Sequence, residues 1–175
     1  MHRLTGWCAA VVAALTVMVT AGCGFDVQTL QPYTAADGVN FTLGGGEKPP
    51  LKVRNLFIIA DDSGKGFVSA SMIVDGGSDT LRSITGVALD PNGKDAGAIA
   101  IATFPPVAIG SDRLVVLTDL APISVSGPLK PGLEARLVLT FAASGAHTIV
   151  VPVVDAKDPV YAGVTPSPTA ATPSS

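Results

Sequence analysis

Apolar and polar residues alternate singly along much of the middle of this chain. Successive side chains of a strand point to opposite faces, so such alternation predicts half-buried strands. VNFTL (Val39–Leu43) reads this way, as does LEARLVLTFA, which sets Leu133, Ala135, Leu137, Leu139 and Phe141 on one face. HTIVVPVV follows, with Ile149, Val151 and Val153 aligned. Pro152 removes a ladder donor and predicts an edge strand or a bulge at that point. LKVRNLFIIA (Leu51–Ala60), FVSASMIVD (Phe67–Asp75), TLRSITGVAL (Thr80–Leu89), AIAIAT (Ala98–Thr103) and RLVVLTD (Arg113–Asp119) predict further strands. Turn clusters separate them: DDSGKG, GGSD, DPNGKDAG and the Pro105–Pro106 pair. No segment carries a helical apolar stripe, and no repeat of fixed period is visible. Roughly seven to nine short strands at regular spacing point to an all-β fold, an antiparallel two-sheet β-sandwich.

Composition agrees with this reading. Gly (19) and Pro (14) are plentiful among 175 residues, which favours strands and turns over long helices. Apolar residues reach 47%, enough for a core. The net charge is −3, and the basic side chains are scattered singly. Phosphate recognition needs clustered Lys and Arg, so nucleic acid is excluded as a partner.

The N-terminal stretch HRLTGWCAAVVAALTVMVTAGC has a different pattern. Arg3 precedes an apolar run, Trp7–Val19, of secretory length and too short for a permanent membrane span. Small residues Ala21 and Gly22 then precede Cys23. This resembles the bacterial lipoprotein signal, the lipobox, departing from it at Thr20, where Leu is usual. The resemblance implies cleavage between Gly22 and Cys23 and a diacylglyceryl group on the Cys23 sulfur. Two acyl chains anchor stably where one is marginal. The alternative is ordinary secretion that leaves Cys23 as a thiol. A Cys8–Cys23 disulfide would staple only the targeting segment, because Cys8 is discarded with it. The expected layout is a signal peptide over 1–22 and a lipidated N-terminus and tether over 23–38. The β-sandwich follows over 39–155, then a disordered Pro/Ser/Thr/Ala-rich tail over 156–175. Removing residues 1–22 takes away Arg3 alone, leaving 10 basic and 14 acidic side chains, or −4.

The order SDTLRSITGV, DRLVVLTDL and GPLKPGLEARLVLTFAASGAHTIVVPV resembles the periplasmic copper(I) chaperones of the PCuAC type, and especially lipid-anchored relatives from high-GC Gram-positive bacteria. The resemblance covers roughly Phe67–Val154. It implies a cupredoxin-like sandwich, related in architecture to immunoglobulin-like ones. It further implies a Cu(I) site of His and Met side chains, with a His-x-Met arrangement near Leu114 and Val116 and an upstream ligand near Asp90. Those positions hold no His or Met here, and the stretch APISVS is additional. Beyond residue 22, Met72 and His147 are the whole His and Met inventory. Cu(I) prefers several soft ligands, so neither copper nor any other cofactor is expected.

The remaining candidates are weak. His147, beside the ASGA turn, reads as a solvated surface residue, and Met72 as core packing. Asp61, Asp75, Asp79, Asp90 and Asp95 fit turn chemistry better than a calcium site. Glu47 and Glu134 are the only glutamates, no G-x-S-x-G elbow is present, and Gly44–Gly46 reads as a flexible joint. The expected function is a non-enzymatic binding or accessory module of the cell envelope. It would be anchored by lipid to the outer face of the cytoplasmic membrane and bind an envelope protein or ligand. The alternatives are a copper chaperone, by family resemblance, and a metal-assisted envelope enzyme.

Overall fold

The computed structural model describes residues 37–46, 48–111, 113–120 and 122–161. All lie in one compact unit that starts at Ala36. The expected signal peptide, the Cys23 anchor and most of the expected tether and tail fall outside the described residues.

The fold is nearly all β. The first half of the chain forms β1 (Val39–Gly45), β2 (Lys48–Ala60), β3 (Lys65–Val74) and β4 (Asp79–Leu89). Short pieces follow: β5 (Asp95–Ala98), β6 (Ala100–Ile101), β7 (Val107–Ile109) and β8 (Val115–Val116). A single helical turn, α1 (Leu117–Leu120), precedes β9 (Ile123–Ser126). The long strands β10 (Glu134–Phe141) and β11 (Gly145–Asp155) come next, and a 3-10 turn spans Pro159–Tyr161.

In one half of the sheet β10 lies between β4 and β11, and the outer edge of β4 carries β7 and then β5. In the other half β2 pairs with β3 on one edge and with β1 on the other. The outer edge of β3 carries β8 and β9, and β9 pairs with β6. β11 belongs to both halves. Its pairing with β10 ends at Glu134↔Pro152, and from Val153 it runs parallel to β2, opposite Ile58. The other junction is Ile99, the one residue between β5 and β6. The hydrogen-bonded path β5-β4-β10-β11-β2-β3-β9-β6 therefore starts and ends on one piece of chain. The sheet bends round into a near-barrel.

The inward faces follow the alternation. Ala135, Leu137, Leu139 and Phe141 of β10 are buried, as are Val151 and Val153 of β11 and Leu51, Val53 and Ile58 of β2. The end of β2 is buried on both faces: Ile58 enters the main core, while Phe57 and Ile59 join Phe67 and Tyr161 in a second cluster. The Tyr161 ring lies 5.6 Å from that of Phe57, and its hydroxyl donates to the Asp37 carboxylate. Burial, reinforced by Asp37, raises the phenol pKa well above its ordinary value.

The structure departs from the sequence reading in several places. Among the described residues eleven strands stand against the expected seven to nine, because β7 and β9 are too short to show a period. AIAIAT is broken at Ile99, where the chain passes from β4 to β9. RLVVLTD is not one strand. Only Val115 and Val116 pair with β3, and the apolar run then coils into α1. A short apolar run does not by itself distinguish strand from helix. Pro152 marks neither a plain edge nor a bulge but the point at which β11 changes partners. Gly44–Gly46, read as a flexible joint, forms the β1–β2 turn region with φ values of 80°, 113° and 68°.

Two turns share the pattern Asp-x-(Ser/Asn)-Gly-Lys and one hydrogen-bond scheme. In Asp61–Lys65 the Asp61 Oδ1 accepts the amides of Ser63 and Lys65, and the Gly64 amide donates to the Asp61 carbonyl. In Asp90–Lys94 the Asp90 Oδ1 accepts from Asn92 and Lys94, and Gly93 donates to the Asp90 carbonyl. Gly64 is doubly constrained, by φ of 75° and by the Gly127 carbonyl, which a Cβ would approach to 2.0 Å.

Asp79 is the one buried charged residue of the described chain, at 6% exposure. Its carboxylate accepts the amides of Thr80 (2.7 Å), Ala143 (2.8 Å) and Ser144 (3.0 Å), tying β4 to the β10–β11 turn. Burial opposes its ionisation. The hydrogen bonds from Ala143, Ser144 and Thr80 outweigh burial and hold its pKa below the ordinary value. Asp79→Asn is expected to cost about 1.5–3 kcal/mol, the scale of hydrogen bonds to a charged group. Because the folded pKa is depressed, the wild-type advantage is complete above the unfolded value near 3.8 and is lost as pH falls through the folded value. Urea unfolding of both proteins from pH 7 to pH 2, followed by circular dichroism, checks magnitude and sign together.

Candidate functional site

An apolar concavity lies where the outer edge of β3 is incompletely covered. β9 pairs with Lys65–Val68 and β8 with Ser71–Met72, and α1 bridges the gap between them. The bridge turns Leu117 inward, almost fully buried, and leaves Leu120 outward. Facing it is the connection from β6 to β7, where Pro105 and Pro106 offer no backbone donors and favour extended chain. Phe104, Pro105, Pro106, Leu117, Leu120 and Ile123 line an apolar cleft of about 390 Å³. That volume falls within the range of roughly 300–1,000 Å³ usual for small-molecule sites.

A second hollow, of about 270 Å³, adjoins it through Ala108 and Leu120 and is lined by Arg113, Leu114, Val115, Val116 and Asp119. Leu114 and Leu120 are 54% and 55% exposed. Large apolar side chains exposed together beside a cleft mark an interaction surface more than isolated ones do. Arg113 and Asp119 are also exposed, and among the described residues neither takes part in an ion pair.

Leu114 and Val116, where the resemblance implies a His-x-Met arrangement, lie in this second hollow. Asp90 is engaged in its turn, where the Lys94 and Asn92 amides lower its pKa. Met72 is fully buried in the main core, opposite Val53 and Val115. His147 is half-buried, not freely solvated; its Nε2–H donates to the Ser144 carbonyl at 2.8 Å. Among the described residues these are the one Met and the one His, and held in these ways the two do not fit a multi-ligand Cu(I) site.

The aspartate candidates are likewise engaged. Asp61 accepts from the Ser63 hydroxyl and the Lys65 amide, which lower its pKa. Asp75 pairs with Lys52, and Asp95 with Arg136 at 2.6 Å. Glu134 opens β10 at the surface, and Glu47 is outside the described residues. Among the described residues no three His, Cys, Asp or Glu side chains are placed to hold a metal ion. Of the cleft residues, Pro105 and Pro106 read as a turn signal, and sequence pattern singled out neither Phe104 nor Leu120. The available signal was the Pro pair followed by an apolar run that does not alternate, and APISVS, read as an addition, supplies Ile123.

No protein-family model matches this chain, and no curated protein matches it. Among solved structures it is similar to the apo PCuAC domain from PmoF1, at 17% identity and a TM-score of 0.50, over 67% of this chain and 99% of that one. It is also similar to the copper-bound PCuAC domain from PmoF2, at 12% identity and a TM-score of 0.49, over 67% and 98%. The likeness is one of fold, and it agrees with the resemblance to PCuAC proteins that the sequence motifs carry.

Met72 in a packing role gives a definite expectation. Met72→Leu is expected to cost less than about 1.5 kcal/mol, because volume is nearly conserved. Met72→Ala is expected to cost about 2–5 kcal/mol through the cavity it leaves. Thermal and urea unfolding of both variants measures this, and equal losses for Leu and Ala would contradict a packing role.

Proposed function

We propose that this chain is a lipid-anchored extracytoplasmic protein, a non-enzymatic binding module without a resident cofactor, whose working face is the apolar cleft. One observation carries the reading. Where the resemblance implies His and Met ligands stand Leu114 and Val116, and exposed Leu114 and Leu120 lie beside a cleft of about 390 Å³. The loop aspartates near the turns are held by backbone amides and cations, so the free chemistry of this face is hydrophobic contact, with Arg113 and Asp119 at its rim. The address rests on Arg3, the apolar run Trp7–Val19 and the small residues before Cys23. We read the bent sheet as a two-layer sandwich of the cupredoxin type, which the likeness to the PmoF1 domain supports.

An apolar, environment-sensitive fluorophore is expected to bind the wild-type protein and to bind Leu120→Asp roughly tenfold more weakly. Burying a leucine side chain contributes about 1.5–3 kcal/mol, and each 1.4 kcal/mol is tenfold in affinity. Equal binding by the two proteins would remove the cleft as the working face. For the anchor, Cys23→Ala is expected to abolish labelling by a fatty-acid analogue, and undiminished labelling would sink the assignment.

A copper chaperone or copper-homeostasis protein is the second reading, favoured by the likeness of fold to a PCuAC domain. It separates from the first by competition titration with Cu(I). The cleft reading expects no binding beyond that of the buffer ligands. A tight site that survives both His147→Ala and Met72→Ala would favour copper handling through residues other than these.

A further inference from the structure

We propose that Asn92–Gly93 is a site of spontaneous covalent modification, at which the Asn92 carboxamide becomes a carboxylate, and that the hold of Asp90 on the turn sets its rate. The site is independent of the cleft. The chain has three asparagines, Asn40, Asn55 and Asn92. The side-chain oxygen of Asn40 accepts the Asn55 amide at 2.8 Å, and that of Asn55 accepts the Gly38 amide at 2.9 Å. Phe41 and Leu56 follow them, so a bulky side chain crowds the next backbone nitrogen. Asn92 is exposed at the tip of the β4–β5 turn and is followed by exposed Gly93. Apart from its chain neighbours, nothing lies within 4 Å of where a Gly93 Cβ would stand, so that nitrogen is unshielded. The turn itself does not require the carboxamide. Asp61–Lys65 makes the same backbone scheme with Ser63 in the place of Asn92.

The reaction needs only water. The Gly93 nitrogen, once solvent base has taken its proton, attacks Asn92 Cγ. A C–N bond forms, the bond from Cγ to Nδ2 breaks, and ammonia leaves behind a cyclic succinimide. Water opens the ring at either carbonyl, giving an aspartate or an isoaspartate at that position; nothing is oxidised or reduced. In the closed turn Asp90 restrains the reacting groups. The Gly93 amide donates to the Asp90 carbonyl at 2.9 Å, the Asn92 amide donates to Asp90 Oδ1 at 2.8 Å, and the Asn92 side chain bonds the same carboxylate. The turn therefore has to open before the Gly93 nitrogen can reach Cγ. Exposed turns open locally, without global unfolding. Each event adds one negative charge. The isoaspartyl product also lengthens the backbone of the turn that leads through β5 to the Ile99 junction.

Incubation of the full chain in native buffer at mildly alkaline pH, sampled over days by peptide mapping with mass spectrometry, tests this. Deamidation is expected at Asn92 while Asn40 and Asn55 stay unchanged, with a more acidic form appearing on anion exchange. Asn92→Ser is expected to keep the turn and to give no such form. Asp90→Ala is expected to raise the rate at Asn92 roughly tenfold or more, the factor carried by one hydrogen bond to a charged group. Loss at Asn92 no faster than at Asn40 and Asn55 overturns the site. A folded Asp90→Ala that deamidates at the wild-type rate overturns the role of Asp90. If Asp90→Ala does not fold, a urea series on the wild type decides. A rate that climbs while circular dichroism stays native supports opening of the turn alone, and a rate that only follows global unfolding overturns it.

Discussion

The rest of the structure depends on two pieces of backbone that each hydrogen-bond to both halves of the sheet. β11 leaves β10 at Pro152 and joins β2 at Val153, and the β5–Ile99–β6 segment passes from β4 to β9. Unpaired backbone polar groups are costly when buried and adhesive when exposed, and closure of a sheet removes most of its edge. A proline suits the first junction because a strand that changes partners has one position where a ladder donor is not required. Immediately afterwards the Val153 amide donates to the Leu133 carbonyl, which keeps the chain close to β10 as it turns toward β2. At the other end of β10 and β11, the Asp79 carboxylate holds their turn against the start of β4.

The cleft follows from the same closure. β3 carries β2 along one edge, while its other edge has to be covered by the segment that runs from β7 back to β6's partner, β9. That segment pairs at Ser71–Met72 and again at Lys65–Val68, and coils through α1 between them. The coil leaves Leu120 standing outward, opposite a connection in which Pro105 and Pro106 have no backbone donors to offer a strand. The apolar surface is thus produced by an interruption in pairing, which is why its residues are scattered in sequence.

A fold and the chemistry placed on it are separable. Here the nearly all-β fold is similar to that of the PmoF1 PCuAC domain, while the segment that the resemblance associates with metal binding carries aliphatic side chains. Of the one Met and the one His beyond residue 22, Met72 is packed in the core. His147 is tied to its own turn through Ser144. These placements serve stability.

By itself the sequence determined the all-β class, the inward faces of β10 and β11, and the turns at Asp61–Gly64 and Asp90–Gly93. Alternation and turn chemistry are local properties that a short window contains. Met72 was legible as core for the same reason. Only the tertiary structure decided that Pro152 and Ile99 are junctions, that RLVVLTD divides into a two-residue strand and a helical turn, and that Phe104, Leu120 and Ile123 share a cleft. Those outcomes depend on which edge of which distant strand is still unpaired when a segment arrives. That is set by contacts far apart in the chain, so no local pattern of apolar and polar residues encodes it.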